Sequence, residues 1–322
     1  MLLDIALIII GVALVLKGAD LLTEGASSLA RRMNVPEIII GLTIVAAGTS
    51  APELFVSLVS ALNDTPDLAV GNVVGSNTMN AMLIVGTAAM VAPMTISHST
   101  VKKDIPCSVI ASVVLILIAL DSHLGRADGL ILLAGFTAFM CYTLRQAKSG
   151  KVETASQAEI SSQQDATVTA VKQQNPWLST LWVIGGLAML VVGSDLFVSS
   201  ATNVALALDV SEGVIGLTIV AGGTSLPELA TSVVAARKGQ SAIAIGNVIG
   251  SNVFNILLIL GATAVISPLQ IEGITTIDMA VMLISVALVW LFSFTKYTVE
   301  RWEGALLVGG YIAYVGWLIS NL

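Results

Sequence analysis

The stretch GLTIVAAGTSAPEL at residues 41–54 recurs as GLTIVAGGTSLPEL at residues 216–229, 175 positions later. Around these two stretches, residues 41–86 align with residues 216–261 without a gap, and 26 of the 46 aligned positions are identical. The identical positions include the polar ones, whereas a duplicated scaffold kept only for packing would preserve mainly its apolar pattern. The internal repeat therefore predicts two similar halves that contribute equivalent polar residues to one site.

The composition excludes an ordinary soluble protein. Apolar residues make up 56% of the 322 residues, charged residues make up 11%, and the mean hydropathy is +0.92. Continuous apolar runs of about 17 to 25 residues have the length that a helix needs to cross a bilayer. We therefore expect an all-α membrane protein. Its ten predicted transmembrane helices lie at about residues 2–24, 36–61, 68–91, 104–121, 128–144, 177–200, 211–236, 241–265, 275–294 and 302–320.

The repeat divides these ten predicted helices into two sets of five. Because five is odd, the second copy enters the membrane from the side opposite to the first. Inverted repeats of this kind are typical of secondary transporters, in which the substrate site lies between the repeats near the bilayer midplane. We expect a first five-helix repeat at residues 1–144, an inverted second repeat at 177–322, and a polar cytoplasmic linker at 145–176.

Basic residues lie mostly on one side of this layout. One alternating set of loops holds twelve of the 14 Lys and Arg residues, and the opposite set holds only Arg126. By the positive-inside rule, the basic loops face the cytoplasm of a cell membrane, inner or plasma, and both termini lie outside. The net charge of −7 says little about partners. Apart from the lipid bilayer and transported ions, we expect no nucleic acid and no obligate protein partner.

The first motif places helix-breaking residues inside an apolar span. Pro52 has no N–H group, and its ring clashes with the carbonyl of Gly48, so carbonyls near this point lose their helical partners. Pro227 has the same effect in the second copy. Each proline is followed by a glutamate, Glu53 or Glu228. Ionisable residues inside spans are costly and mark functional sites; the alternative is that two protonated glutamates only hold the helices together.

Further polar residues lie at helical spacing beside these glutamates. Thr49 and Ser50 lie within one turn of Glu53, and Thr224 and Ser225 occupy the equivalent positions before Glu228. The second motif, GNVVGSNTMN at 71–80 and GNVIGSNVFN at 246–255, spaces polar residues by four along one helix face. These residues are Asn72, Ser76 and Asn80 in the first copy and Asn247, Ser251 and Asn255 in the second. For Asn72, Asn77 and their equivalents, packing between helices is the alternative role.

These residues offer only oxygen atoms to a ligand. Carboxylates, hydroxyls, amide oxygens and free carbonyls suit hard cations such as Ca²⁺ and Na⁺, and without His or Cys the set disfavours zinc and copper. Two carboxylates neutralise one Ca²⁺ or two Na⁺. We therefore expect transported Ca²⁺ and Na⁺ to bind as substrates, with no cofactor and no catalytic residues, in a protein that is not an enzyme.

The motifs GTSAPE and GTSLPE, followed by GNVVGSNTMN and GNVIGSNVFN, resemble the paired alpha-repeat signatures of the Na⁺/Ca²⁺ exchanger branch of the Ca²⁺/cation antiporter superfamily. The resemblance covers about 46 residues in each half. It implies an antiporter that exchanges Na⁺ for Ca²⁺ at one central site by alternating access. It further implies that the helices bearing the repeats form a fixed core, across which the first helix of each half, residues 2–24 or 177–200, slides.

The resemblance also implies a ligand set. Ca²⁺ would bind the side chains of Glu53 and Glu228 and the carbonyls of Thr49 and Thr224. The Na⁺ sites would share the glutamates and add the hydroxyls of Ser50, Ser76, Ser225 and Ser251 and the carbonyls of Ala46 and Ala221, with Asn80 and Asn255 completing the ring. Some members carry an aspartate at one of the positions of Asn80 and Asn255, so the two amides here leave the exchange stoichiometry open.

Several alternatives stay open from the sequence. Ca²⁺/H⁺ exchange or K⁺-dependent exchange could use the same fold, and a passive cation channel could use the same residues. Asp20 and Asp195 match across the repeat. They could pair with polar groups near a mouth of the site, lie at helix ends, or form the acid dyad of an intramembrane hydrolase, although no other catalytic pattern surrounds them.

Overall fold

A computed structural model of the protein describes residues 1–149, 176–208 and 221–320. Helices make up most of this part of the chain because long apolar segments in a membrane must satisfy their backbone hydrogen bonds internally. Numbered in chain order, they are α1 Leu2–Arg32, α2 Glu37–Thr49, α3 Ala51–Leu62, α4 Pro66–Val91, α5 Thr100–Asp121, α6 Arg126–Ser149, α7 Pro176–Ala207, α8 Ala221–Thr224, α9 Leu226–Arg237, α10 Ser241–Ile266, α11 Thr276–Ser293 and α12 Arg301–Ser320.

Within the described residues, eight helices are long and apolar enough to cross a membrane, and the bent pair of α2 and α3 raises the number to nine. The chain is therefore a helical, multi-pass membrane protein. The predicted span 211–236 contains α8 and α9, but residues 211–220 lie outside the described residues. The predicted linker 145–176 begins within α6, and its residues 150–175 also lie outside the described residues. The count of ten helices thus stays a prediction.

Helices α1 and α7 form a close antiparallel pair. Small residues spaced by seven on each helix meet at their crossing points, so that the two backbones touch. A side chain at Gly11, Gly18 or Gly25 would collide with backbone atoms of Gly193, Gly186 or Ser179, respectively. Small residues at a helix interface allow this approach, and the resulting van der Waals contact holds transmembrane helices together.

Helices α4 and α10 form the centre of the protein. Buried residues make up 72% of the apolar window of α4 and 78% of that of α10, compared with 17% for α12. Both central helices carry the GNVxGSN motif. At Gly246, an added Cβ would lie 2.8 Å from the carbonyl oxygen of Ile38, so α10 of the second half packs directly on α2 of the first.

The two halves are joined by contacts that repeat at the 175-residue spacing. Strand β1 (Met94–Thr95) pairs antiparallel with β4 (Thr298–Val299), and β2 (His123–Leu124) pairs antiparallel with β3 (Leu269–Gln270). Adding 175 to β1 and β2 gives β3 and β4, so the two pairs are equivalent. The all-α prediction missed these strands. They are two residues long and follow the ends of spans, where hydropathy carries no strand signal.

Several backbone irregularities lie within or beside the repeated motifs. At Ser50 the backbone leaves helical geometry (φ −82°, ψ 8°), and α2 and α3 meet at an angle of 45°. Ser225 breaks the helix between α8 and α9 with nearly the same angles (φ −87°, ψ 7°). In α4 and α10, π-helical turns occupy Asn80–Ile84 and Phe254–Leu260. Such turns inside α-helices occur frequently at functional sites.

The glycine crossing of α1 and α7 predicts a position-specific effect of added methyl groups. In Gly186→Ala, the new Cβ would lie 2.7 Å from the backbone nitrogen of Leu22 and 2.8 Å from the carbonyl of Gly18. The two helices would have to separate, and we expect a loss of about 1 to 3 kcal/mol of stability, as for other overpacked sites. Thermal unfolding of the purified protein in detergent measures this as a lower Tm.

The neighbouring Gly185→Ala is the matched control, because beyond the adjoining backbone of α7 no atom of the described residues lies within 4 Å of its added Cβ. Alanine also favours the helix over glycine by up to about 1 kcal/mol. The Tm of Gly185→Ala should therefore equal or exceed that of the wild-type chain. Equal losses in the two variants would contradict the close crossing.

Candidate cation site

Glu53 and Glu228 begin the helices that follow the two breaks. Each lies in the first turn of its helix, α3 or α9, directly after a proline at the helix start. Proline is tolerated there because its missing N–H would be unpaired in any case. Both glutamates are fully buried, with 0% of their surface exposed. The sequence PE after a broken helix therefore turns each carboxylate into the protein interior.

The two halves exchange hydrogen bonds at these carboxylates. The Ser50 hydroxyl donates to Glu228 Oε1, and the Ser225 hydroxyl donates to Glu53 Oε1, each at 3.1 Å. The bonds are equivalent because 50 + 175 is 225 and 53 + 175 is 228. Ser251 of α10 adds a contact to Glu228 Oε1 at 3.5 Å. Each acid is thus bonded to the serine that lies three residues before the other acid, so the structure brings the two predicted acids into one hydrogen-bonded cluster.

The predicted amides also cross between the halves. Asn80 Nδ2 donates to Asn252 Oδ1, and Asn255 Nδ2 donates to Asn77 Oδ1, each at 3.0 Å. These two bonds are equivalent at the same spacing. All four side chains are buried, and each half supplies one donor and one acceptor to the other. The π-helical turns that begin at or beside Asn80 and Asn255 bring these side chains to the contact between α4 and α10.

Four buried oxygen atoms of this cluster accept no hydrogen bond from any residue that the structure describes. They are Glu53 Oε2, Glu228 Oε2, Asn80 Oδ1 and Asn255 Oδ1. Buried acceptors without donors cost about 1 to 3 kcal/mol each, and more when they are charged. Here they form two equivalent pairs on the residues predicted to bind a cation. Oxygen acceptors without donors are suited to a hard cation.

A second layer of side chains fixes the backbone beside the glutamates. Asn72 Nδ2 donates to the carbonyl of Glu53 at 3.1 Å and to Ser57 Oγ at 2.9 Å. In the other half, Asn247 Nδ2 donates to the carbonyl of Glu228 at 3.4 Å and to Ser232 Oγ at 3.0 Å. These amides therefore tie the helices that carry the glutamates to α4 and α10.

The sequence did not predict this supporting role. It indicated a polar helix face that includes Asn72, with packing as the alternative, and Ser57 and Ser232 were not among the predicted residues. The signal was present, because Asn72 and Ser57 are each identical to their equivalents at the 175-residue spacing. A search restricted to polar identities within the repeat would have found them.

The remaining predicted ligands lie around the same centre. Thr49 is buried, and its hydroxyl donates to Asn247 Oδ1 at 3.0 Å, so it is bonded to the other half. Ala46 is fully buried in α2, and Ser76 is buried on α4 between Asn72 and Asn80. In the second half, Ala221 and Thr224 are the first and last residues of α8. All twelve predicted site residues thus lie on the broken helices or on α4 and α10.

The electrostatics of the centre are dominated by the two acids. None of the ion pairs among the described residues involves Glu53 or Glu228. No group of three or more His, Cys, Asp or Glu residues comes together in the described part of the chain. A site with two carboxylates has fewer charges than high-affinity resident Ca²⁺ sites, whose affinity rises with the number of charged ligands. This low count suits an ion that must also leave.

Asp20 and Asp195 have different surroundings. Asp20 on α1 forms an ion pair with Lys238 after the end of α9, 2.5 Å between Oδ1 and Nζ. Lys238 also donates to the hydroxyl of Thr23 at 3.2 Å. Asp195 is exposed on α7. Asp20 therefore pairs with a polar group, which is one of the alternatives left open by the sequence. This ion pair joins α1 to the end of α9, the helix that carries Glu228.

An acid dyad of Asp20 and Asp195 does not fit this geometry. Gly18 of α1 faces Gly186 of α7 in the antiparallel pair. With a rise of 1.5 Å per residue, Asp20 and Asp195 are therefore separated by roughly 15 Å along the helix axes. The two carboxyl groups of an acid dyad must share a hydrogen bond, and this separation prevents it.

Comparison with known proteins identifies the family of the chain. The model of the family described as sodium/calcium exchanger protein matches residues 3–145 and 178–320. The chain belongs to the sodium/calcium exchanger family. The resemblance inferred from the two motifs is therefore confirmed, and the family is one of transporters rather than enzymes. Its membership supports Ca²⁺/cation antiport as the general activity.

Individual relatives of the sodium/calcium exchanger family cover nearly the whole chain. The inner membrane protein YrbG of Escherichia coli is 37% identical over 99% of this chain and 97% of its own length. The sodium/calcium exchanger MaX1 of Methanosarcina acetivorans is 30% identical over 90% of this chain and 91% of its own. A solved structure of the sodium–calcium exchanger NCX_Mj superimposes with a TM-score of 0.84 at 30% identity, covering 98% of this chain and 99% of that one.

The supporting layer in this family member predicts a specific loss of stability. Asn247→Leu would leave three groups without their amide partner: the hydroxyls of Thr49 and Ser232 and the carbonyl of Glu228. Unsatisfied buried groups are costly, and we expect a loss of about 2 to 4 kcal/mol. Thermal unfolding in detergent should show a Tm lower by several degrees.

The control is Thr231→Val on α9, next to Ser232. The Thr231 hydroxyl is buried and bonds to no described residue, so an apolar group of the same shape replaces it without losing a partner. Its Tm should be unchanged or higher. A Tm for Asn247→Leu as high as that of Thr231→Val would show that the amide is not a clamp.

Proposed function

We propose that this chain exchanges Na⁺ for Ca²⁺ across the cell membrane at one site between its halves. The observation that supports this most strongly is the set of four buried oxygens on Glu53, Glu228, Asn80 and Asn255, none of which receives a hydrogen bond from a described residue. Two are carboxylate oxygens and two are amide oxygens. Together they supply two negative charges, which balance one Ca²⁺ or two Na⁺.

Both ions use the two glutamates in this proposal, but they differ in the neutral oxygens that complete their sites. Ca²⁺ binds Glu53 and Glu228 together with the carbonyls of Thr49 and Thr224, because a divalent ion gains most from both carboxylates. Na⁺ ions share the glutamates and add neutral oxygens. These are the hydroxyls of Ser50, Ser76, Ser225 and Ser251 and the carbonyls of Ala46 and Ala221, with the amide oxygens of Asn80 and Asn255.

The serine hydroxyls that donate hydrogen bonds to the glutamates can also bind Na⁺. Ser50 and Ser225 donate to Glu228 and Glu53. When a hydroxyl oxygen binds Na⁺, its proton still points away and can reach a carboxylate oxygen. The same serine can therefore hold the carboxylate and contribute to the sodium site, and this overlap makes the two ions compete.

The arrangement of α1 and α7 supports a proposal of alternating access. The two helices form one close pair, and α7 packs on both broken helices, since a side chain at Gly48 or Gly223 would collide with Leu187 or Val198. We propose that the chain forms two inverted five-helix repeats, residues 1–144 and 177–322, and that the α1–α7 pair slides as one body over the other helices of the two repeats. The basic loops and the linker 145–176 are then cytoplasmic, and both termini lie outside.

A second candidate is Ca²⁺/H⁺ exchange, which the buried carboxylates favour because protonation could replace Na⁺. Proton exchange would need only hydrogen-bond partners for the two protonated carboxyl groups. The hydroxyl and amide oxygens grouped around Glu53 and Glu228 exceed that need. Sodium is therefore the proposed counter-ion.

Flux of ⁴⁵Ca²⁺ into proteoliposomes tests the proposed exchange. We expect uptake when the vesicles contain Na⁺ and the outside does not, and no uptake with a pH gradient alone. Adding K⁺ equally to both sides should leave the rate unchanged. Uptake driven only by the pH gradient would establish the second candidate, and uptake without any counter-ion gradient would indicate a channel.

Glutamine substitutions locate the exchange site. Glu53→Gln or Glu228→Gln removes one charge from the pair, and the loss of a buried charge partner costs about 3 kcal/mol or more, over 100-fold in affinity. We expect Na⁺-driven uptake to disappear. Glu303→Gln is the matched control, because Glu303 is also buried but caps the start of α12 by accepting from the Glu300 amide. Equal activity in all three variants would place the site elsewhere.

A further inference from the structure

Asn77 and Asn252 are buried next to the proposed ligands but are not themselves in the ligand set. Asn77 and Asn252 are 0% exposed and equivalent across the repeat. Each accepts one hydrogen bond, from Asn255 or Asn80 respectively. Their position between α4 and α10 raises the question of what they add beyond packing.

An amide side chain has an oxygen at one end and an N–H₂ group at the other, so its orientation decides what it presents. The orientation of the Asn77 side chain is determined by a backbone carbonyl. Its Nδ2 donates at 3.2 Å to the backbone carbonyl of Asn252, which can only accept. Reversing Asn77 would bring two oxygens together. Asn77 must therefore hold its Oδ1 on the opposite side.

This orientation passes to the next amide. Because Asn77 Oδ1 is an acceptor, Asn255 must turn its N–H₂ group toward it, and the two atoms are 3.0 Å apart. Asn255 Oδ1 is then directed away from Asn77 and is one of the four buried oxygens without a donor. A backbone carbonyl thus determines, through two side chains in series, that oxygen rather than N–H₂ is free at Asn255.

In the equivalent pair, Asn80 and Asn252, no hydrogen bond to the backbone carbonyl of a described residue fixes the orientation of the amides. Asn80 Nδ2 donates to Asn252 Oδ1 at 3.0 Å. However, Asn252 Nδ2 is buried and donates to no residue that the structure describes. Asn252 is therefore less firmly oriented than Asn77.

We propose that Asn77 is a positioning residue that keeps the oxygen of Asn255 directed at the bound cation. The inference rests on the proposed function, because it concerns the same site. A reversed Asn255 would present two N–H groups to a positive ion and remove one ligand. Asn77 thereby raises cation affinity without touching the ion.

A double-mutant cycle distinguishes this role from packing. Asn77→Leu is made in the wild-type chain and in the Asn255→Asp background. A carboxylate has oxygen at both ends, so its orientation no longer depends on Asn77. The measurements are the concentrations of Ca²⁺ and of Na⁺ that give half-maximal ⁴⁵Ca²⁺ exchange in proteoliposomes, with ⁴⁵Ca²⁺ binding to the detergent-purified protein as a second readout.

In the wild-type background, we expect Asn77→Leu to raise the half-saturating concentration about tenfold, which corresponds to about 1.4 kcal/mol. In the Asn255→Asp background, we expect less than about a threefold effect. The control Thr78→Val alters the next residue, whose buried hydroxyl bonds to the Val74 carbonyl of its own helix. This variant should leave the half-saturating concentration unchanged in both backgrounds.

The same factor in both backgrounds, or no effect in the wild-type chain, would overturn the positioning role. If Asn77→Leu does not give a monodisperse protein, Asn77→Ala replaces it, since it also removes the acceptor for Asn255 Nδ2 but adds no bulk. A loss of about tenfold is then expected in the wild-type background alone, and near wild-type half-saturation would overturn the inference. A wild-type chain that neither binds Ca²⁺ nor exchanges it for Na⁺ would instead overturn the proposed function itself.

Discussion

Two carboxylates buried without a basic partner are the constraint on which the rest of this structure depends. Glu53 and Glu228 are fully buried, and the ion pairs among the described residues do not include them. A buried charge is tolerated when it is paired and hydrogen-bonded. The hydroxyls of Ser50 and Ser225 provide part of the hydrogen bonding, each from the opposite half. In the proposed function, a bound cation supplies the positive charge.

The helices are irregular beside these carboxylates. Pro52 and Pro227 lack an N–H group, and the backbone leaves helical geometry at Ser50 and Ser225. Asn72 and Asn247 then fix the carbonyls of Glu53 and Glu228. The broken segments are thus held rigidly by α4 and α10, while the α1–α7 pair packs on their other side. Exchange between the two sides of a membrane requires a fixed site and a part that moves over it. In the proposed function, the α1–α7 pair is the moving part.

The sequence singled out the buried polar residues more readily than it predicted their contacts. Glu53, Glu228, Asn80 and Asn255 stand out because polar residues are costly inside apolar spans, and these recur in both copies of the repeat. The orientation of the Asn77 amide could not be predicted, since the spacing of residues does not show which atom of a side chain faces which partner. The length of α1, which continues to Arg32, was underestimated because its last turns are polar yet packed on the core. The pairing of β1 with β4 depends on the meeting of distant loops, which local sequence does not encode.

Direct localisation of a bound ion tests the central claim most simply. Crystals of the wild-type protein soaked with Sr²⁺, a heavier analogue of Ca²⁺, would show the ion by its anomalous scattering. The account predicts one dominant peak between Oε2 of Glu53 and Oε2 of Glu228, and its loss when excess Na⁺ is added. A dominant peak away from both carboxylates, or one that persists in the Glu53→Gln, Glu228→Gln double variant, would contradict it.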